Sequence, residues 1–416
     1  MSYTRNDLFK TINNQWEAAL RKGGNSNYSG KMPSMIDVQD SINAIPQIVA
    51  QGSNYVIQCT ETANTTFTLS QNGATVETKT NDAVKGGVVL FNVANTGIYK
   101  VTATQNNVEK WTKDIGVNDT GVIICKSPLS VDAYSEDEID LAAKNHYAKY
   151  MWEVGDYKIT DFTDTTDAKF KRRYIMSFDQ ALLSDGSGVA GITWVRPQTS
   201  NSNFKMNNSD INNTSYEGSV GRALCLPSGS TQYVYDSTVT ETTEGTYYTF
   251  DSVNESWTER TLPADYVSTE DYYTKTTTSA DGAIWNTVPE TLRNNLVSVK
   301  VKTWRGWTNN VPSSNLEDTK YLVSNDKVWI PSCKELFGNR YPLYNNCFGE
   351  YSNLDGETFE ARNKFNYWEI IPYNFYTWTR SPSADSSYRF ARWNDNGCVY
   401  SGLASATGRV AVALCQ

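Results

Sequence analysis

The sequence predicts a multidomain chain of mixed class, all-β in one part and α+β in the rest. Three observations lead there. At 416 residues the chain exceeds what one hydrophobic core ordinarily serves, so about two to four modules are expected. Only 20% of its residues are charged, whereas 26 Tyr and 12 Trp accompany abundant Thr, Ser and Asn, a composition that favours short strands and polar turns. Helical periodicity is confined to the N-terminal region and a few capped segments, and period-two alternation takes over from Ser53 to Val117.

Residues 1–50 read as a helical anchor and linker. Over 4–22, Leu8, Phe9, Ile12, Trp16, Ala19 and Leu20 fall on one helical face, and Gly23-Gly24 stops the helix. A helix this short is marginal alone, so its apolar face needs a partner. Leu8, Phe9, Ile12, Trp16 and Leu20 are therefore the candidate assembly anchor, meeting the same helix of another subunit or a docking surface on a larger assembly. A polar Gly/Ser/Asn linker follows at 25–30. A second short helix spans about 35–45, with Asp37 near its start and Pro46 at its end.

Residues 51–120 read as a small antiparallel sandwich. Tyr55-Val56-Ile57-Gln58-Cys59 and Thr66-Phe67-Thr68-Leu69-Ser70 are strand-like, and Gln71-Asn72-Gly73-Ala74 is a hairpin turn. Further short strands follow up to Trp111, about six or seven in all. The Phe-x-Val-x-x-x-Gly-x-Tyr-x-Val stretch at 91–101 resembles immunoglobulin-like spacer modules of cell-surface and phage structural proteins. That resemblance implies a spacer and no site.

Residues 121–150 read as a connecting helical segment. Ser135-Glu136-Asp137-Glu138 is a capping box opening a helix to about Lys149. His146, the single His, falls in it and reads as a solvated helix residue. One His excludes a two-His zinc site, and no obvious Ser-His-Asp triad exists within the chain.

In the remainder, Trp152-Glu153-Val154-Gly155-Asp156 begins a strand. Arg173-Tyr174-Ile175-Met176-Ser177-Phe178 and Val189-Ala190-Gly191-Ile192-Thr193-Trp194-Val195 supply two more. A Pro-initiated helix is expected over 288–296, leading into a strand at 297–303, and Ser332 with Glu335 caps a short helix after Val328-Trp329-Ile330. Four of these pieces resemble, in order, a family of uncharacterised domains with a C-type-lectin-like fold, recurrent in gut bacteria and their phages. They are Trp152 to Asp156, the Asp185-Gly186-Ser187-Gly188 run to Trp194, Ile330-Pro331-Ser332-Cys333-Lys334-Glu335-Leu336-Phe337-Gly338, and Trp378-Thr379-Arg380-Ser381-Pro382. Family members often close on a Gly-Val-Arg-Pro-type strand. Here Gly408-Arg409-Val410-Ala411-Val412 shifts the Arg and lacks the Pro. The resemblance covers about 150–229 and 284–416, specifies fold more than function, and implies one lectin-like domain over 151–416. The gap at about 230–283 reads as an inserted β-hairpin module with an internal echo, Tyr247-Tyr248-Thr249 against Tyr272-Tyr273-Thr274. Similar Tyr-Tyr-Thr segments decorate phage virion proteins.

The C-terminal stretch divides into a fold signature at 378–382, a candidate display segment at 388–400 and a buried closing strand at 410–414. Tyr388, Arg389, Arg392, Trp393, Asn394, Asp395, Asn396 and Tyr400 are the candidate ligand-binding residues, because Tyr, Trp, Arg and Asn make compact contact surfaces. In C-type-lectin-like variable proteins of diversity-generating retroelements this segment is the ligand-binding face, and the resemblance implies that role. Alternation sends half of such residues inward. Trp378 and Phe390 are expected in the core, and Arg380 is expected to be structural, bonded to loop carbonyls.

No nucleotide-binding, nucleophile-elbow or zinc-protease motif occurs, and no local spacing singles out an Asp/Glu pair. No Asp-x-Asp-type calcium loop stands out. A related scaffold is the formylglycine-generating enzyme, whose Cys pair lies near its C-terminus. Cys398 and Cys415 occupy that part of the chain without a matching Cys motif. The seven Cys, with no C-x-x-C, read as free and mostly buried thiols; Cys398–Cys415 and Cys333–Cys347 pairings stay open, since spacing does not establish them.

A net charge of −9, a pI near 4.9 and no Lys/Arg cluster argue against a nucleic-acid partner. No apolar run reaches the roughly 20 residues of a membrane span. The N-terminus lacks a signal-peptide apolar region, so assembly in a host cytoplasm is expected. Short anchor, spacer and compact terminal domain lead to a non-enzymatic phage virion protein, a tail or head fibre or decoration subunit. It needs no cofactor or metal. It joins other virion proteins through its N-terminal region and meets a host-surface glycan or protein through its C-terminal domain. A homotrimer follows by analogy with fibres. The alternatives are a purely structural capsid or tail component and a glycan-active enzyme.

Overall fold

A computed structural model describes residues 55–118, 121–211, 215–305, 321–338, 356–363, 370, 376–382, 388–393 and 399–416, all within the unit Asn54–Gln416. Both N-terminal helices expected from the sequence, and with them the assembly anchor Leu8, Phe9, Ile12, Trp16 and Leu20, lie outside the described residues.

The first module is built from β1 (Tyr55–Glu61), β2 (Thr65–Gln71), β3 (Ala74–Thr80), β4 (Gly87–Val93), β5 (Gly97–Gln105), β6 (Val108–Val117) and β7 (Gly121–Cys125). Two sheets, ordered β4-β1-β7 and β3-β2-β5-β6, share one core of Phe67, Leu69, Phe91, Tyr99, Val101 and Trp111. Alternation does the sorting: β4 and β2 bury every second side chain, which puts Phe67, Leu69, Val89 and Phe91 inside. Asn72 and Gly73 both take positive φ, 52° and 82°, as a two-residue hairpin turn matched to strand twist requires. β7 runs parallel to β1, past residue 120, so that Cys125 lies opposite Cys59. Cys59, Cys125, Cys225, Cys333 and Cys415 are all buried free thiols.

The second module carries α1 (Glu136–Lys144), α2 (Ala148–Met151), β8 (Tyr157–Ile159), β9 (Arg172–Phe178), β10 (Ile192–Arg196) and α3 (Val220–Ala223). An inserted sheet follows: β11 (Thr231–Tyr235), β12 (Gly245–Asp251), β13 (Ser256–Leu262) and β14 (Tyr273–Thr277). Next come α4 (Glu290–Arg293), β15 (Val299–Trp304), β16 (Tyr321–Asp326), β17 (Val328–Trp329) and α5 (Cys333–Phe337). The chain ends with β18 (Thr377–Pro382), β19 (Arg389–Trp393), β20 (Val399–Leu403), β21 (Arg409–Val410) and β22 (Val412–Cys415). The closing strand β22 sits between β10 and β17 in a five-stranded sheet ordered β17-β22-β10-β9-β8, with Leu414 opposite both Trp194 and Val328. Residues 410–414 are at most 1% exposed, as their small apolar side chains predict. Gly191, just before β10, is required by packing: a Cβ there would collide with the Ala143 carbonyl at the end of α1.

Several boundaries differ from the sequence reading, each for a local reason. Both capping boxes form, Ser135 with Glu138 and Ser332 with Glu335. The first helix nevertheless stops at Lys144, and His146 lies beyond it at φ 56° rather than within it. Residues 152–156 are a turn and not a strand, because Asp156 accepts from the Glu153 backbone N–H at 2.9 Å; the strand starts at Tyr157. The helix after Pro289 is one turn long. The insertion is a four-stranded sheet, β11-β14-β12-β13, and not a single hairpin. Its sequence echo has a structural meaning, since Tyr248 and Tyr273, the second Tyr of each copy, face one another where β12 meets β14.

The two modules meet at Glu61, the last residue of β1 and fully buried. Its Oε2 accepts from Trp111 Nε1 at 2.7 Å and Tyr134 Oη at 2.8 Å, and its Oε1 accepts from the Thr62 backbone at 2.9 Å. Tyr134 in turn stacks edge-on against Trp152, with ring centroids 5.1 Å apart. A buried carboxylate survives only if hydrogen-bonded throughout, so its donors on both sides are constrained together. Glu61→Ala should lower stability by about 2–4 kcal/mol in urea unfolding followed by Trp fluorescence. A loss below about 0.5 kcal/mol would show that this carboxylate does not join the modules.

Candidate functional site

The terminal segment folds as a four-stranded sheet ordered β20-β19-β18-β21. Its first third is core. Trp378 and Arg380 are fully buried, and Arg380 makes the structural contacts expected of it: carbonyls of Ile330 (3.2 Å) and Lys302 (3.0 Å), Thr303 Oγ1 (3.0 Å) and both oxygens of Glu335. Gly356 closes over this pair; a Cβ there would stand 2.7 Å from Glu335 Oε1 and 2.9 Å from Arg380 Nη2.

The display segment divides. Phe390 is fully buried, as expected from alternation. Trp393, assigned from the sequence to the contact surface, is instead 1% exposed and sits edge-on against Phe337 at 6.0 Å, so it belongs to the core. The reason is packing: a large ring on an inner position of β19 fills the space above α5. Tyr388 is 47% exposed, and Arg389 is exposed and donates to Ser401 Oγ at 3.2 Å. Leu403, directly across the register from Arg389, is also exposed. Arg392 is half-buried, with its guanidinium 4.0 Å from the Tyr376 ring centroid and 5.4 Å from that of Trp378. The exposed side chains described in this sheet are therefore Tyr376, Tyr388, Arg389 and Leu403, with Arg392 half-buried. Asn394, Asp395 and Asn396, and the Tyr400 side chain, lie outside the described residues.

A second concentration of polar chemistry, which no sequence motif marks, lies where the inserted sheet meets the β15–β16 hairpin. Two cavities of about 310 and 460 Å3 line this seam and share Glu255, Lys300 and Val323. Lys300 Nζ donates to Glu255 Oε2 at 2.8 Å between them. In the wall of the larger cavity, Arg222 pairs with both oxygens of buried Asp326 and, at 2.8 Å, with Oε1 of Glu217. Glu217 is 3% exposed, and its other oxygen, Oε2, has no hydrogen-bond partner. Tyr233 and Trp257 stack beside it with centroids 3.9 Å apart. Glu217 and Arg222 lie five residues apart, and Asp326 joins them from β16, 104 residues after Arg222. The only local sign of any of them is Ser219, whose side chain caps the single turn that carries Arg222.

Burial pushes Glu217 up to about 7, against the pull of Arg222. The single His pairs with Asp179 at 2.6 Å on the surface, beside Lys149 at 2.7 Å from the same carboxylate. Among the described residues no group of His, Cys, Asp and Glu is arranged to hold a metal, and no helix is long and apolar enough to cross a membrane. Neither a known protein family nor a curated protein matches the chain.

Two predictions follow from this geometry. Trp393→Ala should cost about 3–5 kcal/mol of stability, whereas Tyr388→Ala should cost less than about 0.5, both read from denaturant midpoints. Because the folded value of Glu217 lies above its unfolded one, its contribution is complete below about pH 4.5 and is lost as pH rises through about 7. Thermal unfolding of Glu217→Gln, which does not ionise, should therefore gain on the parent by up to about 3 kcal/mol between those limits.

Proposed function

We propose that this chain is a non-enzymatic virion protein of a bacteriophage, a fibre or decoration subunit whose lectin-like terminal domain binds a host-surface glycan or protein. The observation that carries the reading is the exposure of Tyr376, Tyr388, Arg389 and Leu403 on strands whose Trp378, Phe390 and Arg380 are fully buried. Aromatic and Arg side chains on a rigid backbone lose little entropy on binding, which is what a contact surface needs. The immunoglobulin-like spacer supports the same reading, because the Glu61 node makes it a stiff stalk for the terminal domain. In the seam, Asp326 and Glu255 are each engaged by a cation, an arrangement that suits holding a ligand better than hydrolysing one. The N-terminal segment serves as the anchor to other virion proteins, and a homotrimer is the proposed assembly.

A second reading is a purely structural component whose terminal domain packs against its neighbours, and the sheet edge at β7 gives its sandwich module a further interface. Val122 and Ile124 there are 43% and 46% exposed, and an apolar edge strand is a ready interface. One experiment separates the two. In particles carrying Tyr388→Ala with Arg389→Ala, display predicts at least a tenfold loss of host adsorption with normal particle yield, about the effect of removing one hot-spot pair. The structural reading predicts defective assembly, with adsorption of the surviving particles unchanged.

A further inference from the structure

We infer that the groove between the inserted sheet and the β15–β16 hairpin is an oligosaccharide-binding site, separate from the terminal sheet, in which a sugar hydroxyl donates to Glu217. Three independent features converge on it. The first is shape. The cavity of about 460 Å3 is lined by Glu217, Arg222, Tyr233, Trp257, Ser184 and Asn325, and its volume is that of a small-ligand site.

The second is an unmet acceptor. Glu217 Oε1 accepts from Arg222 Nη1 at 2.8 Å and from the Tyr233 backbone at 3.1 Å, while Oε2 is buried with no partner. A buried carboxylate oxygen without a donor is costly, and a ligand hydroxyl removes that cost.

The third is the remaining lining. Tyr233 and Trp257, stacked and partly exposed, offer ring surface for sugar C–H groups, and Ser184 and Asn325 offer hydroxyl and amide partners. Arg222 and Lys300 balance Asp326 and Glu255, so the groove is neutral while Glu217 holds its proton and carries one negative charge when it ionises. A neutral polyol fits such a groove better than a strong anion or a strong cation. The inference stands apart from the terminal sheet and does not require that sheet to bind anything.

The test titrates the full chain with fluorescently labelled maltopentaose, cellopentaose and chitopentaose, read by anisotropy at about pH 5.5 and about pH 8. At least one should bind saturably, and about tenfold more tightly at the higher pH, because a donated hydroxyl favours the ionised carboxylate. Glu217→Gln should weaken that binding about tenfold and flatten its pH dependence. Asn325→Trp, at an exposed position on the groove wall, should abolish it with an unchanged melting temperature. The Tyr388→Ala, Arg389→Ala variant should bind like the parent, which separates this site from the terminal sheet. Three outcomes overturn the inference: no binding of any of the three at millimolar concentration, binding that Glu217→Gln and Asn325→Trp leave unchanged, or binding lost in the Tyr388/Arg389 variant.

Discussion

The terminal domain depends on one buried ion pair, Arg380 with Glu335. Both are withdrawn from water, and desolvating such a pair costs several kcal/mol per ion unless every donor and acceptor is satisfied. Here Arg380 reaches two carbonyls, a hydroxyl and both Glu335 oxygens, and Glu335 in turn accepts from the Ser332 backbone at 2.9 Å. The pair thereby ties β18 to β15 and to the turn entering α5, segments far apart in the chain. Three more buried arginines pair with carboxylates, Arg173 with Glu136, Arg196 with Asp164 and Arg222 with Asp326, although Arg173 Nε and Nη1 and Arg196 Nη1 have no hydrogen-bond partner. Two of them also lie over aromatic rings, Arg173 on Trp194 at 4.5 Å and Arg196 on Phe162 at 4.2 Å. The planar guanidinium suits this work, because its fork of donors can serve several loops at once.

Such a core explains how a domain with so much irregular chain can carry a fixed surface. Loops expose backbone carbonyls that need donors wherever they are buried. The arginines supply those donors, and the terminal sheet inherits its position from them. The Glu61 node does the equivalent work between modules, binding Trp111 of the first and Tyr134 of the second to one carboxylate.

The inserted sheet adds a different kind of feature. It packs aromatic rings against one another, Tyr233 on Trp257 and Trp257 against Tyr273, and leaves a polar groove where it meets the β15–β16 hairpin. Asp271 of the insert and Arg305 at the end of the hairpin form an ion pair across that seam. The groove and the terminal sheet thus rest on separate supports, one on the insert and Arg222, the other on Arg380.

The legible part of the fold was local. Alternation sorted the sandwich strands, Asn72-Gly73 marked its hairpin turn, Ser135/Glu138 and Ser332/Glu335 marked two helix starts, and small apolar residues marked the closing strand. Each signal is written within a few neighbouring residues. The core positions of Trp378 and Phe390 and the structural role of Arg380 were legible in the same way. Contacts between side chains far apart in the chain had no such local signal. Trp393 went inside because α5 placed Phe337 beneath it, and residues 152–156 turned because Asp156 captured a backbone amide. The Tyr-Tyr-Thr echo became a pairing only once β12 and β14 came together. Asp326 joins Arg222 and Glu217 only when β16 packs against the turn that carries Arg222, and no spacing rule links residues 104 positions apart.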